Sequence, residues 1–488
     1  MKSKIYSLLL FFGLIGAGCS DFTEIDPKGK NTLNRMEDLD LVLNYTYSLS
    51  VSEVCYFVND EFPGFTNIPT LINQNIKTLE YAYFTWDESV DRVTLTESDY
   101  KYTRLYEIIG QVANPVLLNV DVASGDRVLA DRLKAEALVL RAWCHYLLVN
   151  FYAKAYNPAT AETDPGIVYA LETDDMAAPN EKLTVAKVYE MILADLNAAL
   201  DLGSLPVVPN KMRVGLSFAY AVKAKVLMSI RDYDGAFAAA EESLKLNNSI
   251  DNYYDLIAPE TMLGTGMLEF TRPYFTCEEE LFETPSMYLS VAFTPEMWNA
   301  FEEGHIIPDY ILTDESILGY PAEGNMYYGL DVPVLYSFNV YYSPFGLTTV
   351  DMYLVQAECY IREGNLTDAM DLLNRIREKR ISVDKYVEKT AATSTEAFAY
   401  LKQVSRTENF ATPKNYINLK RWNTEAAYQE TLRRVIEYTE NTYDESGSVI
   451  DSKECVREYI LAPDSPLWIF PFPQNATLHN PNLTQNYE

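Results

Sequence analysis

Few side chains in this sequence are of the types that most often catalyse reactions at neutral pH. The chain has 488 residues but only three histidines, namely His145, His305 and His479. A catalytic serine or cysteine needs an oriented base, usually an imidazole, within hydrogen-bond reach, and no catalytic motif surrounds any of the three. The 70 Asp and Glu residues make carboxylate pairs frequent by chance. The sequence therefore predicts that the protein is not an enzyme.

The cysteines follow neither of the patterns that would indicate a metal site or a disulfide framework. Apart from one near the N-terminus, they are odd in number and scattered along the chain: Cys55, Cys144, Cys277, Cys359 and Cys455. Zinc sites typically use CxxC pairs, and small secreted frameworks use an even number of cysteines. We predict no metal and no other cofactor. Cys144 and Cys359 fall inside helical patterns, and we expect both to be buried.

The charge balance excludes another class of protein. The chain carries 39 Lys and Arg against 70 Asp and Glu, a net charge of −31, and the acids are spread along its length. Nucleic-acid binding depends on clustered Lys and Arg that neutralise phosphates, so such binding is not predicted. With 37 Tyr, 21 Phe and 5 Trp, the chain has enough rings for both a core and a recognition surface.

The first residues have the features of an export signal rather than of a folded element. Lys2 and Lys4 precede an apolar run at 5–15, and small residues then lead to Cys19. The run is too short to span a bilayer. A cysteine directly after small residues indicates a bacterial lipoprotein signal at 1–18, although glycine rather than an aliphatic residue stands three positions before it. We therefore expect Cys19 to be acylated and to tether a soluble body to a membrane.

The body of the protein is predicted to consist of paired helices, and the clearest pair lies at 349–380. Apolar residues recur there with helical spacing. Gly364 suits a helix C-terminus, because glycine adopts left-handed backbone angles without strain. Asn365 can then cap the following helix. These features predict an antiparallel helical hairpin.

Residues 216–246 repeat the same pattern. Ala224 and Ala236 are twelve positions apart, as are Ala357 and Ala369 in the first hairpin. A small residue on each helix lets two backbones approach closely, which is the packing of tetratricopeptide repeats. The alternative is two unrelated amphipathic hairpins, but the shared offsets favour a repeat. Such units must stack on others, because one hairpin cannot bury its own apolar stripe.

Two further helices are predicted outside the repeats. Residues 128–152 form the longest helical stretch, and their largely apolar faces predict a buried helix. A second helix is predicted at 184–202, with Thr184 as its cap and with Glu190 and Asp195 on its outer face.

The remaining stretches have weaker patterns. At 250–347, Gly, Pro and aromatic residues interleave, which predicts loops with short strands. After residue 381 we expect a polar loop, a short helix at 415–428, an acidic insertion at 437–454 and an extended tail.

Several stretches together resemble one family, the SusD/RagB outer-membrane nutrient-binding lipoproteins. The similar stretches are DFTEIDPKG at 21–29, LRAWCHYLLVNFYAKAYN at 140–157, YLVQAECYIREGN at 353–365, INLKRWN at 417–423 and PFPQNATLHNPNLTQN at 471–486. The tail and the block at 353–365 are the more specific ones. At 406–414 the sequence RTENFATPK replaces a helix rich in Glu and Arg that the family has there.

The resemblance implies a fold, a domain organisation and a partner. The fold would be mainly α, with tetratricopeptide-like repeats and an inserted loop-rich subdomain containing short strands. A single SusD-like domain would span 19–488, with a helical body at 36–247 and 348–430, a loop-rich ligand-binding insertion at 250–347, and the family signature at 467–488. The protein would lie on the outer membrane, lipid-anchored and facing the exterior. Its partner would be a SusC-like TonB-dependent transporter.

The resemblance also implies a ligand, most often a glycan that is delivered to the transporter. The same architecture could instead bind a peptide or another nutrient, or a tetratricopeptide scaffold could act only through protein contacts. Sugar rings present apolar C–H faces and hydroxyl groups, so a glycan site needs exposed aromatic rings with polar groups at the rim.

Two stretches could supply such rings. The first candidate is Trp86, with Tyr83 and Asp87 nearby, in the aromatic stretch at 81–92. The alternative is that Trp86 packs this stretch onto the helical body.

The second candidate is the adjacent pair Tyr327 and Tyr328, together with Asn325, in a loop between two glycines. Two adjacent tyrosines cannot both face a core from a strand, so we expect one of them to be exposed. Apart from Trp86, the tryptophans are predicted to be structural; they are Trp143, Trp298, Trp422 and Trp468.

Overall fold

The computed structural model describes residues 33–49, 52–64, 66–175, 178–258, 269–270, 277–309, 311–312, 328–330, 332, 334–342 and 344–487. Within these residues the chain is mainly α-helical, as the sequence predicts. The predicted signal and Cys19 lie outside the described residues. Among the described helices, none is long and apolar enough to cross a membrane.

The first half of the chain is a succession of helices. They are α1 (Met36–Leu43), α2 (Ser52–Phe57), α3 (Ile68–Asn73), α4 (Leu79–Thr85), α5 (Arg92–Leu95), α6 (Tyr100–Glu107), α7 (Asn114–Asn119), α8 (Arg127–Tyr152), α9 (Val185–Asp201), α10 (Leu216–Ser229) and α11 (Tyr233–Leu246), with a π-helical turn at Ile108–Ala113 between α6 and α7. Helix α8 lies in the middle of the core, as its largely apolar sequence predicts. A buried lysine stabilises its C-terminus, since Lys420 Nζ donates to the carbonyls of Asn150 at 2.6 Å and Ala153 at 2.7 Å.

The second half mixes short strands with helices. Its elements are β1 (Ile257–Ala258), β2 (Glu269–Phe270), β3 (Ser286–Ala292), α12 (Pro295–Trp298), α13 (Ile306–Asp309), β4 (Ile311–Leu312), β5 (Val334–Tyr342), α14 (Thr349–Glu363), α15 (Leu366–Glu378), α16 (Ser394–Glu408), α17 (Lys414–Trp422), β6 (Leu432–Tyr443), β7 (Val449–Leu461) and α18 (Gln474–His479), with 3₁₀ turns at Tyr253–Leu256 and Pro466–Trp468. Strands β3, β5 and β4 form an antiparallel sheet in that order, β1 pairs with β2, and β6 pairs with β7. The strands at 257–342 confirm the short strands that the sequence predicts there.

The two predicted repeats are confirmed as helical hairpins. Helix α10 packs on α11, α14 packs on α15, and α11 in turn packs on α14. The four alanines that define the repeat, Ala224, Ala236, Ala357 and Ala369, are completely buried. Gly364 adopts a φ of 84°, and the Asn365 side chain accepts from the backbone N–H of Asp368. Small residues at the crossings therefore allow the close helix packing that the spacing predicts.

One expectation about helix α9 was wrong. Thr184 caps the helix and Glu190 is exposed, as predicted, but Asp195 is buried. Its carboxylate accepts from Arg141 Nε at 2.7 Å and Nη2 at 2.8 Å, and from the Tyr169 hydroxyl at 2.6 Å. A charged residue can lie on the buried side of a helix when a partner from another helix satisfies it. Helical spacing alone does not reveal that partner.

Two elements in the last quarter of the chain differ from the prediction. Helix α16 occupies part of the expected polar loop, and Thr393 caps it by accepting from the N–H of Glu396. It extends into the stretch where the sequence departs from the family's Glu- and Arg-rich helix. The expected acidic insertion at 437–454 lies in the β6–β7 hairpin. The alternation of Thr, Tyr and Val with charged residues fits a strand, but the density of acids obscured that pattern.

The buried crossing of the repeat yields a prediction. Ala357→Leu should lower the free energy of unfolding by about 1–3 kcal/mol, because the larger side chain has no space between α14 and its neighbours. The measurement is urea unfolding followed by circular dichroism. Thr367→Leu, at an exposed position of α15, is the matched control and should leave stability nearly unchanged. Equal stability of the two variants would contradict the packing described here.

Candidate functional site

A cavity of about 380 Å³ opens between helix α16, helix α12 and the start of strand β6. Its polar wall is formed by Asp60, Glu296, Asn299, Lys402, Gln403, Arg406, Asn415 and Glu430, and its apolar wall by Val58, Ala300, Ala399, Leu419, Trp422 and Leu432. Lys402, Gln403 and Arg406 all belong to α16, which the sequence did not predict. The cavity size is within the range of small-molecule sites in proteins.

Most of the charged groups around the cavity are held in place by each other. Arg406 Nε donates to Asp60 Oδ1 at 3.0 Å, and Asn415 Nδ2 donates to Asp60 Oδ2 at 2.9 Å. Lys402 Nζ donates to Glu430 Oε2 at 2.9 Å. Burial raises the pKa of Asp60, while the Arg406 guanidinium acts in the opposite direction. These pairs fix donors and acceptors along the cavity wall before any ligand arrives.

Glu296 differs from the other charged residues of the wall. Its Oε2 is buried and has no hydrogen-bond partner among the described residues. A buried acceptor without a donor is unfavourable, so a ligand hydroxyl at this point would satisfy it. The neighbouring Asn299 is exposed, and its amide can both donate and accept. The cavity can therefore bind a small molecule that carries several hydroxyl groups.

Trp422, a residue of the cavity wall, belongs to a buried cluster of ionic contacts around Glu358. Arg421 donates to both carboxylate oxygens at 2.7 and 2.6 Å, Arg362 Nε donates to Oε1 at 2.9 Å, and Trp422 Nε1 donates to Oε2 at 3.1 Å. The two guanidinium groups outweigh burial and lower the pKa of Glu358 to about 2. Trp422 lines the cavity and is oriented by this cluster.

The structure places the first predicted aromatic pair in the core. Trp86 is 5% exposed, and its Nε1 donates to the Phe57 carbonyl at 2.9 Å. The Arg434 guanidinium carbon lies 4.3 Å from the centre of one of its rings. Tyr83 is also buried and packs on Phe470, with ring centres 5.1 Å apart. The prediction that Trp86 is an exposed ring was therefore wrong. Its contacts agree with the alternative, in which Trp86 packs the stretch at 81–92 onto the helical body.

The other predicted site residues are not brought together with these rings. Asp87 is partly exposed and forms an ion pair with Lys77. Tyr328 is 2% exposed and packs near Phe62, with ring centres 6.2 Å apart. Asn325 and Tyr327 lie outside the described residues. The four predicted structural tryptophans fit their assignment, since three are buried and Trp298 packs against a satellite core cluster.

One group of side chains has the spacing of a cation site. Asp251, Cys277 and Glu279 each place a possible ligand atom within 4.8 Å of the others. However, Cys277 Sγ already donates to Asp251 Oδ2 at 2.7 Å, and Arg380 Nη2 donates to Glu279 Oε2 at 3.0 Å. The guanidinium supplies the positive charge that these acids need, so the group is explained without a metal.

Two family models match the chain at its two ends. A SusD-like family model described as "starch-binding associating with outer membrane" matches residues 33–228. The model of the SusD family itself, SusD/RagB, matches residues 349–488. The chain belongs to the SusD/RagB family. No functionally curated protein sequence gives a significant match to it.

Solved structures share the fold of this SusD-like protein. A surface glycan-binding protein A from Bacteroides uniformis is 14% identical and superposes with a TM-score of 0.65, covering 93% of this chain and 99% of its own. A SusD-like carbohydrate-binding protein from Bacteroides vulgatus is 15% identical, with a TM-score of 0.63 and coverage of 93% and 98%. A SusD superfamily protein from Bacteroides thetaiotaomicron is 15% identical, with a TM-score of 0.62 and coverage of 93% and 99%. At these identities the likeness establishes the shared fold alone.

The Glu358 cluster yields a prediction on pH dependence. The folded-state pKa of about 2 lies below the ordinary value of 4.5. Glu358 therefore contributes stability that is complete above pH 4.5 and is lost as the pH falls from about 4.5 to about 2, on the order of 3 kcal/mol in total. Glu358→Gln should be less stable than wild type at pH 7, and the difference should shrink at pH 3.

The measurement for this prediction is urea unfolding at the two pH values. Glu363→Gln, at an exposed position of the same helix, serves as the control and should follow wild type at both. A stability difference between wild type and Glu358→Gln that stays constant with pH would show that Glu358 is not held ionised by its arginines.

The burial of Trp86 yields a second prediction. Trp86→Ala should lower the free energy of unfolding by about 3–5 kcal/mol, because it leaves a cavity and removes the ring that packs on the Arg434 guanidinium. Thermal and urea unfolding measure the effect. Ile76→Ala, at a residue that is 81% exposed, is the control. A Trp86→Ala variant as stable as this control would mean that the ring is free to contact a ligand.

Proposed function

We propose that this SusD-like protein is an outer-membrane lipoprotein on the cell surface that binds a glycan and delivers it to a SusC-like TonB-dependent transporter. The observation that carries the proposal is the pair of SusD family matches at 33–228 and 349–488. Starch binding and outer-membrane association are named in the first of these descriptions. Two of the solved relatives are named for carbohydrate or glycan binding.

The membrane part of the proposal rests on the sequence of the first residues. Residues 1–18 would be removed as a lipoprotein signal, and the mature chain 19–488 would form a single domain held by an acylated Cys19. One acyl-bearing cysteine with its diacylglyceryl group supplies enough apolar surface for stable attachment. The protein would act by binding alone, which agrees with the scarcity of histidine and the lack of a catalytic motif around any histidine.

We place the glycan in the cavity bordered by α16 and α12. Hydroxyl groups both donate and accept hydrogen bonds, and the wall offers amides at Asn299 and Gln403 beside the free acceptor of Glu296. The volume of about 380 Å³ suits one or two sugar rings rather than a long chain. The ligand contacts predicted at Asp87, Asn325 and Tyr327 stay predictions.

Glycan binding through Glu296 can be tested by isothermal titration. The wild-type protein is titrated with a panel of oligosaccharides and, in parallel, with a peptide digest. Glu296→Gln should weaken glycan binding about ten- to a hundredfold, since a hydrogen bond to a charged acceptor is worth about 1.5–3 kcal/mol. Binding of the peptides but of no oligosaccharide would contradict the proposed ligand class.

The matched control is Glu303→Gln, because the Glu303 side chain is exposed and does not line the cavity. It should bind the glycan as wild type does. Equal affinity of Glu296→Gln and Glu303→Gln would move the glycan out of this cavity while leaving glycan binding itself intact.

A further inference from the structure

The acidic and basic residues of the cavity wall are not equal in number. The wall has three acids, Asp60, Glu296 and Glu430, and two bases, Lys402 and Arg406. Each base forms an ion pair with one acid, Arg406 with Asp60 and Lys402 with Glu430. Glu296 forms no such pair among the described residues, and its Oε2 accepts no hydrogen bond from them. Its carboxylate is therefore the one charge of the wall without a partner on the wall.

The backbone that carries Glu296 is held in place on both sides. Thr294 Oγ1 donates to the Asn59 carbonyl at 2.6 Å, just before helix α12 begins. Just after the helix, the Ala300 carbonyl accepts from Gln403 Nε2 of α16 at 2.9 Å. Glu296 is half-buried and belongs to the cavity lining. Its negative charge is thus a fixed feature of the cavity.

A buried cation near the cavity stabilises this charge without pairing with it. Arg434 is completely buried, and it donates to neutral acceptors, namely Asn59 Oδ1 at 2.9 Å and the carbonyls of Phe84 and Tyr56. Burial lowers the pKa of Arg434 to about 9, and Glu296 is the carboxylate that opposes this effect most strongly. Arg434 does not line the cavity. The charge that a ligand meets at this point of the wall is the negative charge of Glu296.

The two bases of the wall are already engaged by other groups. Lys402 Nζ donates to Glu430 Oε2 and to the Tyr428 carbonyl, each at 2.9 Å. Arg406 Nε donates at 3.0 Å to Asp60, whose residue is 1% exposed. An acidic ligand would have to compete with these two carboxylates for the bases. The wall therefore offers no cation that is ready to bind an anion.

Sugars differ in the charge that they would bring into such a cavity. Most carry only hydroxyl groups, amino sugars carry an ammonium group, and uronic acids and sulfated sugars carry a negative charge. A like charge placed beside an unpaired carboxylate is unfavourable, and an opposite charge is favourable. Both effects are larger in a partly enclosed cavity than in open water, because the effective dielectric constant is lower there.

We propose that Glu296 is a specificity-determining residue, which makes the cavity accept neutral sugars and amino sugars and reject sugars that carry a carboxylate or a sulfate group. This inference rests on the proposed function, because it names the class of glycan that the same cavity binds. Specificity is a difference between two affinities, and one unfavourable charge contact is enough to produce it. An ammonium group near Glu296 binds at least as well as the hydroxyl group that it replaces.

The test is isothermal titration of the full chain in mild detergent with matched ligands. The probes are maltotetraose, cellotetraose and mannotetraose, each with two derivatives in which a 6-hydroxymethyl group is oxidised to a carboxylate or replaced by an aminomethyl group. Glu296→Gln removes the charge, and Glu296→Asp keeps it. Glu303→Gln is the matched control, because it removes the same charge at an exposed residue that does not line the cavity.

Wild type, Glu296→Asp and Glu303→Gln should bind the acidic derivative at least about tenfold more weakly than its neutral parent. In Glu296→Gln, which binds the parent more weakly, this difference should fall to about twofold or less. Equal binding of the acidic derivative and its parent by wild type would overturn the inference and leave glycan binding intact. An undiminished difference in Glu296→Gln would equally overturn the role of Glu296. Failure of wild type to bind any of the oligosaccharides while it binds peptides would overturn the proposed function, and this inference with it.

Discussion

The buried Glu358 carboxylate fixes how two parts of the helical body pack together. It joins helix α14 of one repeat to helix α17 through Arg421 and Trp422. Arg362 continues the chain of contacts, because it pairs with Glu425 at 3.0 Å and lies 4.3 Å from the ring centres of both Tyr233 and Tyr428. A buried carboxylate is tolerated only when donors satisfy it. The cluster therefore admits only the arrangement of these segments that keeps all its partners together.

The same principle recurs at other junctions of the molecule. Arg380 joins the loop-rich subdomain to α16 by donating to Glu279 and Glu408, and Arg434 joins the hairpin to the stretch around Trp86. In each case one guanidinium spans segments far apart in sequence, and its fixed fork of donors sets their relative orientation. Removing these charged groups from water costs free energy. Their contribution is to specify which segments of the chain pack together. They hold α16 and β6, which border the cavity, against other parts of the chain.

The sequence predicted the types of residue that a glycan site needs, but it did not predict which residues form the cavity. Trp86 and Tyr328 have the residue type that sugar stacking needs, but both rings are buried. The cavity wall instead combines residues from widely separated parts of the chain, such as Asp60, Glu296 and Lys402. No local spacing links these positions, so no motif could have indicated them. Lys402 and Arg406 are four residues apart, which places them on the same face of helix α16. This spacing could have indicated a shared wall of the cavity, but the sequence did not predict the helix.

Features local to the sequence were enough to predict the helices and their hairpins. Helical spacing, the glycine at 364 and the caps at Thr184 and Asn365 predicted the repeats and the capped helices, because these features act between residues close together in the chain. The exposure of each aromatic ring and the pairing of Asp195 with Arg141 could not be predicted, because both depend on segments that are distant in the sequence. The β6–β7 hairpin is the intermediate case: its strands have the right alternation, but which face is covered depends on the core around Phe62 and Phe84.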